Sequence, residues 1–212
     1  MNDIDFLNAI NSSLLDLENN LFKEKNEDYP NIFILGLPRS GTTLLAQVLF
    51  NNLDIKCTNN LMSKFWETPL IGLKLSELIL KNKYSDYKST YGKAKNISDP
   101  HEFSWFWHKH LKIYDIEAYN PALASEEIDW IFFKNVLVNF NHISKKIFIH
   151  KPLELIGYHL ECFYKLFEKG IFIYIDRPLN EIACSLVDAR LNYYGNINTW
   201  WGSYPPIEIY KK

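Results

Sequence analysis

The residues Gly36-Leu37-Pro38-Arg39-Ser40-Gly41-Thr42-Thr43 combine the ingredients of an anion grip. A glycine-containing turn lets backbone N–H groups converge on an oxyanion. A helix starting behind that turn adds its dipole, about 0.3–1 kcal/mol per unit charge. Ser40, Thr42 and Thr43 carry donor hydroxyls, and Arg39 can bind phosphate or sulfate oxygens in bidentate fashion. In the nucleotide-binding pattern G-x-x-x-x-G-K-[ST], both glycines and the final hydroxyl residue fit, but Thr42 stands where the lysine belongs. That lysine and a Mg²⁺-bound hydroxyl serve γ-phosphate chemistry. Here the cation lies three residues earlier, at Arg39, which suits a nucleotide whose transferred group is not a Mg²⁺-bound γ-phosphate.

The elements around the loop follow from hydrophobic periodicity. Asn31–Leu35 is short, apolar and partly β-branched, a buried strand. Thr42–Asn52 has helical composition behind the turn. Upstream, Ile4, Leu7, Ile10, Leu14, Leu17 and Leu21 recur at steps of three or four, predicting one amphipathic helix over Ile4–Phe22. Asp54–Cys57 and Ile147–His150 are strand candidates, and Ile171–Ile175 is a further β-like run. Helices are expected over Leu70–Leu80, His101–Leu111, Ser125–Asn141, Leu153–Glu168 (closed by Gly170) and Leu179–Leu191, with Pro178 tolerated in a first turn. Lys81–Asn96 reads as a loop or a mobile segment. Strands alternating with helices imply an α/β fold with parallel strands and crossover helices.

Pro38–Leu45 (PRSGTTLL) resembles the 5′-phosphosulfate loop of sulfotransferases that use 3′-phosphoadenosine 5′-phosphosulfate (PAPS), in the arginine-loop branch of tyrosylprotein and many bacterial enzymes. The resemblance implies a P-loop-like three-layer domain, a central mainly parallel sheet flanked by helices. It implies a donor site at Pro38, Arg39, Ser40, Gly41, Thr42 and Thr43. It also implies a 3′-phosphate site from an arginine at a strand end and a serine eight residues later, matched by Arg177 and Ser185. Arg177 would follow its strand where open α/β sheets bind ligands. Lys151, in Ile149-His150-Lys151-Pro152, matches a lysine near the sulfuryl group.

The catalytic cations are then Arg39 and Lys151, and the acceptor needs a general base. The glutamate that tyrosylprotein sulfotransferases carry after the second strand has no counterpart in Cys57-Thr58-Asn59-Asn60. The candidates, in order, are Glu102, His101 and Glu67. His101-Glu102 lies about where cytosolic sulfotransferases keep a catalytic histidine, roughly 60 residues past the loop. Phe103, Trp105, Phe106 and Trp107 are expected mainly in the core, and Trp200-Trp201 could line an acceptor or adenine pocket.

The 212 residues are expected to form a single sulfotransferase-like domain, with 58–125 a helical or loop insertion shaping the acceptor site. The segment that closes over the nucleotide in relatives is not recognisable after the Ser185 helix, so the domain is expected to lack it. A formal net charge of −2 speaks against nucleic-acid binding but leaves room for a local basic pocket. Three cysteines without a CxxC pair, and His101, His108 and His110 without neighbouring ligands, suggest neither disulfides nor a metal site. No run reaches the roughly 20 apolar residues of a membrane span. The expected reading is a cytoplasmic, metal-free transferase with PAPS as co-substrate and a small-molecule or glycan acceptor. A kinase-like P-loop protein and a PAPS-binding pseudoenzyme are the alternatives.

Overall fold

A computed structural model describes residues 2–80, 85–113, 121–153 and 159–201. Its centre is a four-stranded sheet of β1 (Asn31–Gly36), β2 (Lys56–Cys57), β3 (Phe148–His150) and β4 (Ile171–Ile175), in the order β2-β3-β1-β4. Every pairing is parallel: β1 runs beside β3 from Asn31↔Phe148 and beside β4 from Ile32↔Ile171. β1 is buried along its whole length. Its alternating side chains therefore serve two cores. Ile32 and Ile34 pack with Ala46 and Phe50 of α3 (Thr42–Asn52). Phe33 and Leu35 face the larger core built by α4 (Pro69–Ile79), α5 (Ser104–His110), α7 (Trp130–Ser144) and α8 (Leu160–Leu166). The remaining helices are α1 (Asp3–Ser13), α2 (Leu15–Leu21), α6 (Pro121–Glu127) and α9 (Leu179–Tyr194), with a 3₁₀ turn at Met62–Lys64. This is the layered α/β architecture expected. Among the described residues no helix is long and apolar enough to cross a membrane.

Several local expectations need correction. The single helix over Ile4–Phe22 is two, α1 and α2, divided at Leu14. Polar residues, not the apolar stripe alone, fix them. Asn11 is fully buried and its Oδ1 accepts from the Glu67 N–H and the Thr68 hydroxyl. Glu18 accepts from the N–H groups of Leu70 and Ile71, capping α4. Burial pushes the Glu18 carboxyl up to about 7, against those two N–H bonds and the charge of Lys109. Ser125–Asn141 is likewise split, because Asp129 caps α7 by accepting from the Phe132 N–H. α5 begins at Ser104, behind Phe103 in a left-handed conformation. Of the helix expected over Leu153–Glu168, residues 154–158 lie outside the described residues, and the later part is α8. Gly170 is there for close approach and is not in the left-handed region. A Cβ on it would sit 2.9 Å from Phe167 Cβ and from Phe172 Cε2.

Candidate functional site

The loop after β1 is shaped by backbone crowding. A Cβ on Gly36 would lie 2.5 Å from Ser40 Oγ and 3.2 Å from the Ile175 carbonyl, so the chain turns there only without a side chain. Gly41, at φ 108°, is the N-cap of α3. Arg39 holds φ 70°, a left-handed conformation that strains a residue with a side chain. Strain of this kind is stored where a side chain must be aimed.

Arg39 Nε donates to Ser185 Oγ on α9 at 3.0 Å, and Arg177 Nη1 donates to the Arg39 carbonyl at 2.8 Å. The two arginines thus share one face, at the carboxyl ends of adjacent strands β1 and β4. Burial first, then the charge of Arg177, pushes the Arg39 guanidinium below its usual range, while Tyr91, Asp188 and Glu102 oppose the shift. Two cations held together in this way form a site that an anion would relieve.

Beneath them lies a second linkage. Lys151 follows β3 and is 2% exposed; its Nζ donates to Thr43 Oγ1 at 2.7 Å and pairs with Glu102 Oε1 at 3.1 Å. Thr43 Oγ1 in turn donates to the Gly92 carbonyl at 3.2 Å. The partner loop, Thr90–Lys93, is a two-residue hairpin. Tyr91 (φ 52°) and Gly92 (φ 84°) take positive φ, and Thr90 and Lys93 exchange both backbone hydrogen bonds at 3.0 Å. The segment expected to be a loop or mobile is therefore, in its described part, tied onto the anion turn. Lys93 Nζ donates to Tyr193 OH at 3.0 Å, and Trp201 packs edge-on against Tyr91 and Tyr194.

These elements enclose two cavities. One, of about 320 Å³, is lined by Pro38, Arg39, Gly41, Thr42, Thr43 and Arg177, with Tyr91, Tyr194 and Trp201 on its aromatic wall. The other, of about 600 Å³, is lined by residues of 60–64 and 92–105, His101 and Trp105 among them. Gly92, Lys93 and Glu102 line both. Two compartments meeting at a carboxylate suit the transfer of a group from an anionic donor in one to an acceptor in the other.

Of the site residues read from sequence, Pro38, Arg39, Gly41, Thr42, Thr43, Arg177 and Glu102 meet in the first cavity. Lys151 and Ser185 stand behind it, bonded to residues that line it. Ser40 Oγ is buried inside the turn, has no hydrogen-bond partner among the described residues and does not line the cavity. His101 lines the second cavity, but its Nδ1 accepts from the Phe103 N–H at 2.8 Å. Burial, with help from Lys151, Lys64 and Lys93 and against Glu102, pushes its pKa down to about 4. The neutral ring then carries its proton on Nε2 and has no free lone pair to act as a base. Glu67 lines neither cavity and pairs with Lys109 at 3.6 Å. Of the aromatic run, Phe103, Phe106 and Trp107 are buried in the core, whereas Trp105 is 62% exposed. Trp201 lines the first cavity, and Trp200 lies against Arg190. Tyr91, Lys93 and Tyr194 were missed; Tyr194 ends α9, and for the hairpin of Tyr91 and Lys93 only Gly92, a turn residue, was a signal in the sequence. Among the described residues no group of three His, Cys, Asp or Glu could hold a metal ion.

The sulfotransferase family profile matches residues 30–202. Among solved structures, a sulfotransferase from Mycobacterium tuberculosis H37Rv matches with a TM-score of 0.53 at 15% identity, a likeness that shows the fold. The alignment covers 85% of this chain and 54% of that one, so the chain spans about half the length of that enzyme. No curated protein matches the chain.

Proposed function

The chain belongs to the sulfotransferase family, and from that premise we propose that it transfers a sulfuryl group from PAPS to a hydroxyl or amine acceptor. The observation that carries this reading is the placement of Glu102 between the two cavities, beside the Lys151–Thr43 linkage. The donor supplies the sulfuryl group on a phosphate leaving oxygen. The residues fit such a donor: Arg39 and Arg177 share one face, and Tyr91, whose ring lies 5.5 Å from the Arg39 guanidinium, begins an aromatic wall beside them. Arg177 holds the 3′-phosphate, and Ser185, which accepts from Arg39 Nε, orients the neighbouring Arg39. Arg39, the hydroxyls of Thr42 and Thr43 and the start of α3 hold the 5′-phosphosulfate.

Glu102 takes the proton from the acceptor as the new oxygen–sulfur or nitrogen–sulfur bond forms and the bond to the bridging phosphate oxygen breaks. Arg39 faces the charge left on that oxygen. Lys151, nearly inaccessible, acts as a positioning residue that sets Thr43 and Glu102. Residues 58–125 shape the acceptor side of a single domain. Three free cysteines, Cys184 exposed among them, suit a cytoplasmic setting, and the transfer calls for no metal.

Calorimetry with 3′,5′-ADP in the absence of Mg²⁺ tests the proposal. Wild type should bind, and Arg177→Ala should weaken binding about 10- to 100-fold, as expected for charge-assisted bonds to one phosphate. Mg²⁺-dependent binding of ATP with no binding of 3′,5′-ADP would turn the assignment to the kinase-like alternative.

A further inference from the structure

The second cavity has a charge character that the first does not explain. Its lining carries three lysines, Lys64, Lys93 and Lys95, against a single carboxylate, Glu102. That carboxylate is already paired with Lys151 from below, at 3.1 Å. The chain as a whole has a formal net charge of −2, so this positive wall is a local concentration against the overall balance. Lys93 is engaged with Tyr193 OH. Lys64 and Lys95 are exposed, and among the described residues neither forms an ion pair. The field of Lys64 and Lys93 reaches the His101 ring on the same wall. Trp105, 62% exposed and tilted against Trp66 at 5.9 Å, adds a flat apolar platform to the same lining.

A neutral acceptor would leave Lys64 and Lys95 on this wall without a counter-charge. Lysine is a compact point cation that rewards a carboxylate, sulfate or phosphate without demanding bidentate geometry. Cations in a concave, partly enclosed wall also focus the field and raise the local concentration of anionic ligands. We propose that the acceptor is itself an anion: a hydroxyl or amine compound carrying a carboxylate or sulfate that Lys64 and Lys95 bind while its reacting group lies at Glu102 and its apolar face rests on Trp105. This rests on the sulfuryl-transfer reading, which names the reaction but not the acceptor.

The test uses acceptor pairs that differ only in charge: 4-hydroxyphenylacetate, 3-hydroxybenzoate and a uronic-acid disaccharide, each beside its methyl ester. Binding to the full chain saturated with 3′,5′-ADP is measured by calorimetry, and sulfation with PAPS by kcat/KM. At least one acid should bind and react tenfold or more better than its ester. The preference should fall to about unity in Lys64→Ala/Lys95→Ala, with the Kd for 3′,5′-ADP unchanged within twofold. Equal use of acid and ester, binding of none of the acids, or a preference that survives in the double variant overturns the anionic acceptor and leaves the donor assignment standing. Failure of wild type to bind 3′,5′-ADP removes the donor reading itself, and the acceptor proposal falls with it.

Discussion

The two halves of the Lys151–Glu102 pair should fail differently when replaced. Lys151 is 2% exposed, whereas the Glu102 side chain is 32% exposed and borders both cavities. Glu102→Gln keeps size and shape but strands a cation that water barely reaches. Breaking a buried pair in this way costs about 3–5 kcal/mol; the surviving Thr43 bond and the adjoining cavity place this case near the lower bound, about 3 kcal/mol. Lys151→Met removes the buried charge and refills its volume with an apolar stem. Glu102 can then turn toward water, so the loss is about 1 kcal/mol. The double variant strands nothing and should resemble Lys151→Met, a coupling of about 3 kcal/mol. Urea unfolding at pH 7.5, followed by tryptophan fluorescence, reads this directly. With a slope of about 2.5 kcal/mol per molar, the midpoint of Glu102→Gln should lie about 0.8 M below that of Lys151→Met. Equal midpoints for the two single variants, or additive losses in the double, would refute the buried-cation reasoning.

Arg39→Gly relieves a left-handed backbone that costs about 1 kcal/mol, so it should be about that much more stable than Arg39→Ala, which keeps the strain. Both should lose at least tenfold in 3′,5′-ADP affinity, and equal stability of the two would sink the strain argument. Gly36→Ala should destabilise by about 1–3 kcal/mol and weaken nucleotide binding, because its Cβ would meet Ser40 Oγ at 2.5 Å; unaltered calorimetry would count against the turn as the grip.

Acid should unfold the chain steeply. Burial holds His101 down to about 4, and His110 and His150 to about 3, so their stabilisation is whole above pH 6.5 and drains as pH falls through those values. Glu18, raised to about 7, works the other way, its contribution whole below 4.5 and lost as pH rises through 7. Between pH 4.5 and 6.5 these four groups together give a slope of about two protons, roughly 2.7 kcal/mol per pH unit, to which His159, also held down by burial, adds; His110→Gln should flatten the slope by one proton in urea titrations.

The anion loop, β1, β4 and the Arg177–Ser185 spacing were legible because each is local. An apolar β-branched run, a glycine turn and a helix start within 22 residues, Asn31–Asn52, encode their own conformation. Periodicity was less reliable where a polar residue decides. The apolar steps of Ile4–Phe22 concealed a break that the buried Asn11 and Glu18 impose from the far side, where they bind residues 64–71. Gly170 followed a helix as a capping glycine would, yet its neighbours Phe167 and Phe172 are what require it.

The sequence by itself determined the sheet's parallel character and the loop, and it picked out the residues we propose grip two anionic groups. Its order of Glu102, His101 and Glu67 carried no geometry, because adjacency along the chain says nothing of which side of an element faces the cavity. Folding decided that. Lys151 reaches Thr43 across 108 residues and Arg39 reaches Ser185 across 146, and the hairpin at Tyr91–Gly92 closes on both. Such contacts arise only when crossover helices stack the strand ends side by side, so the meeting of charges is a property of packing and not of spacing.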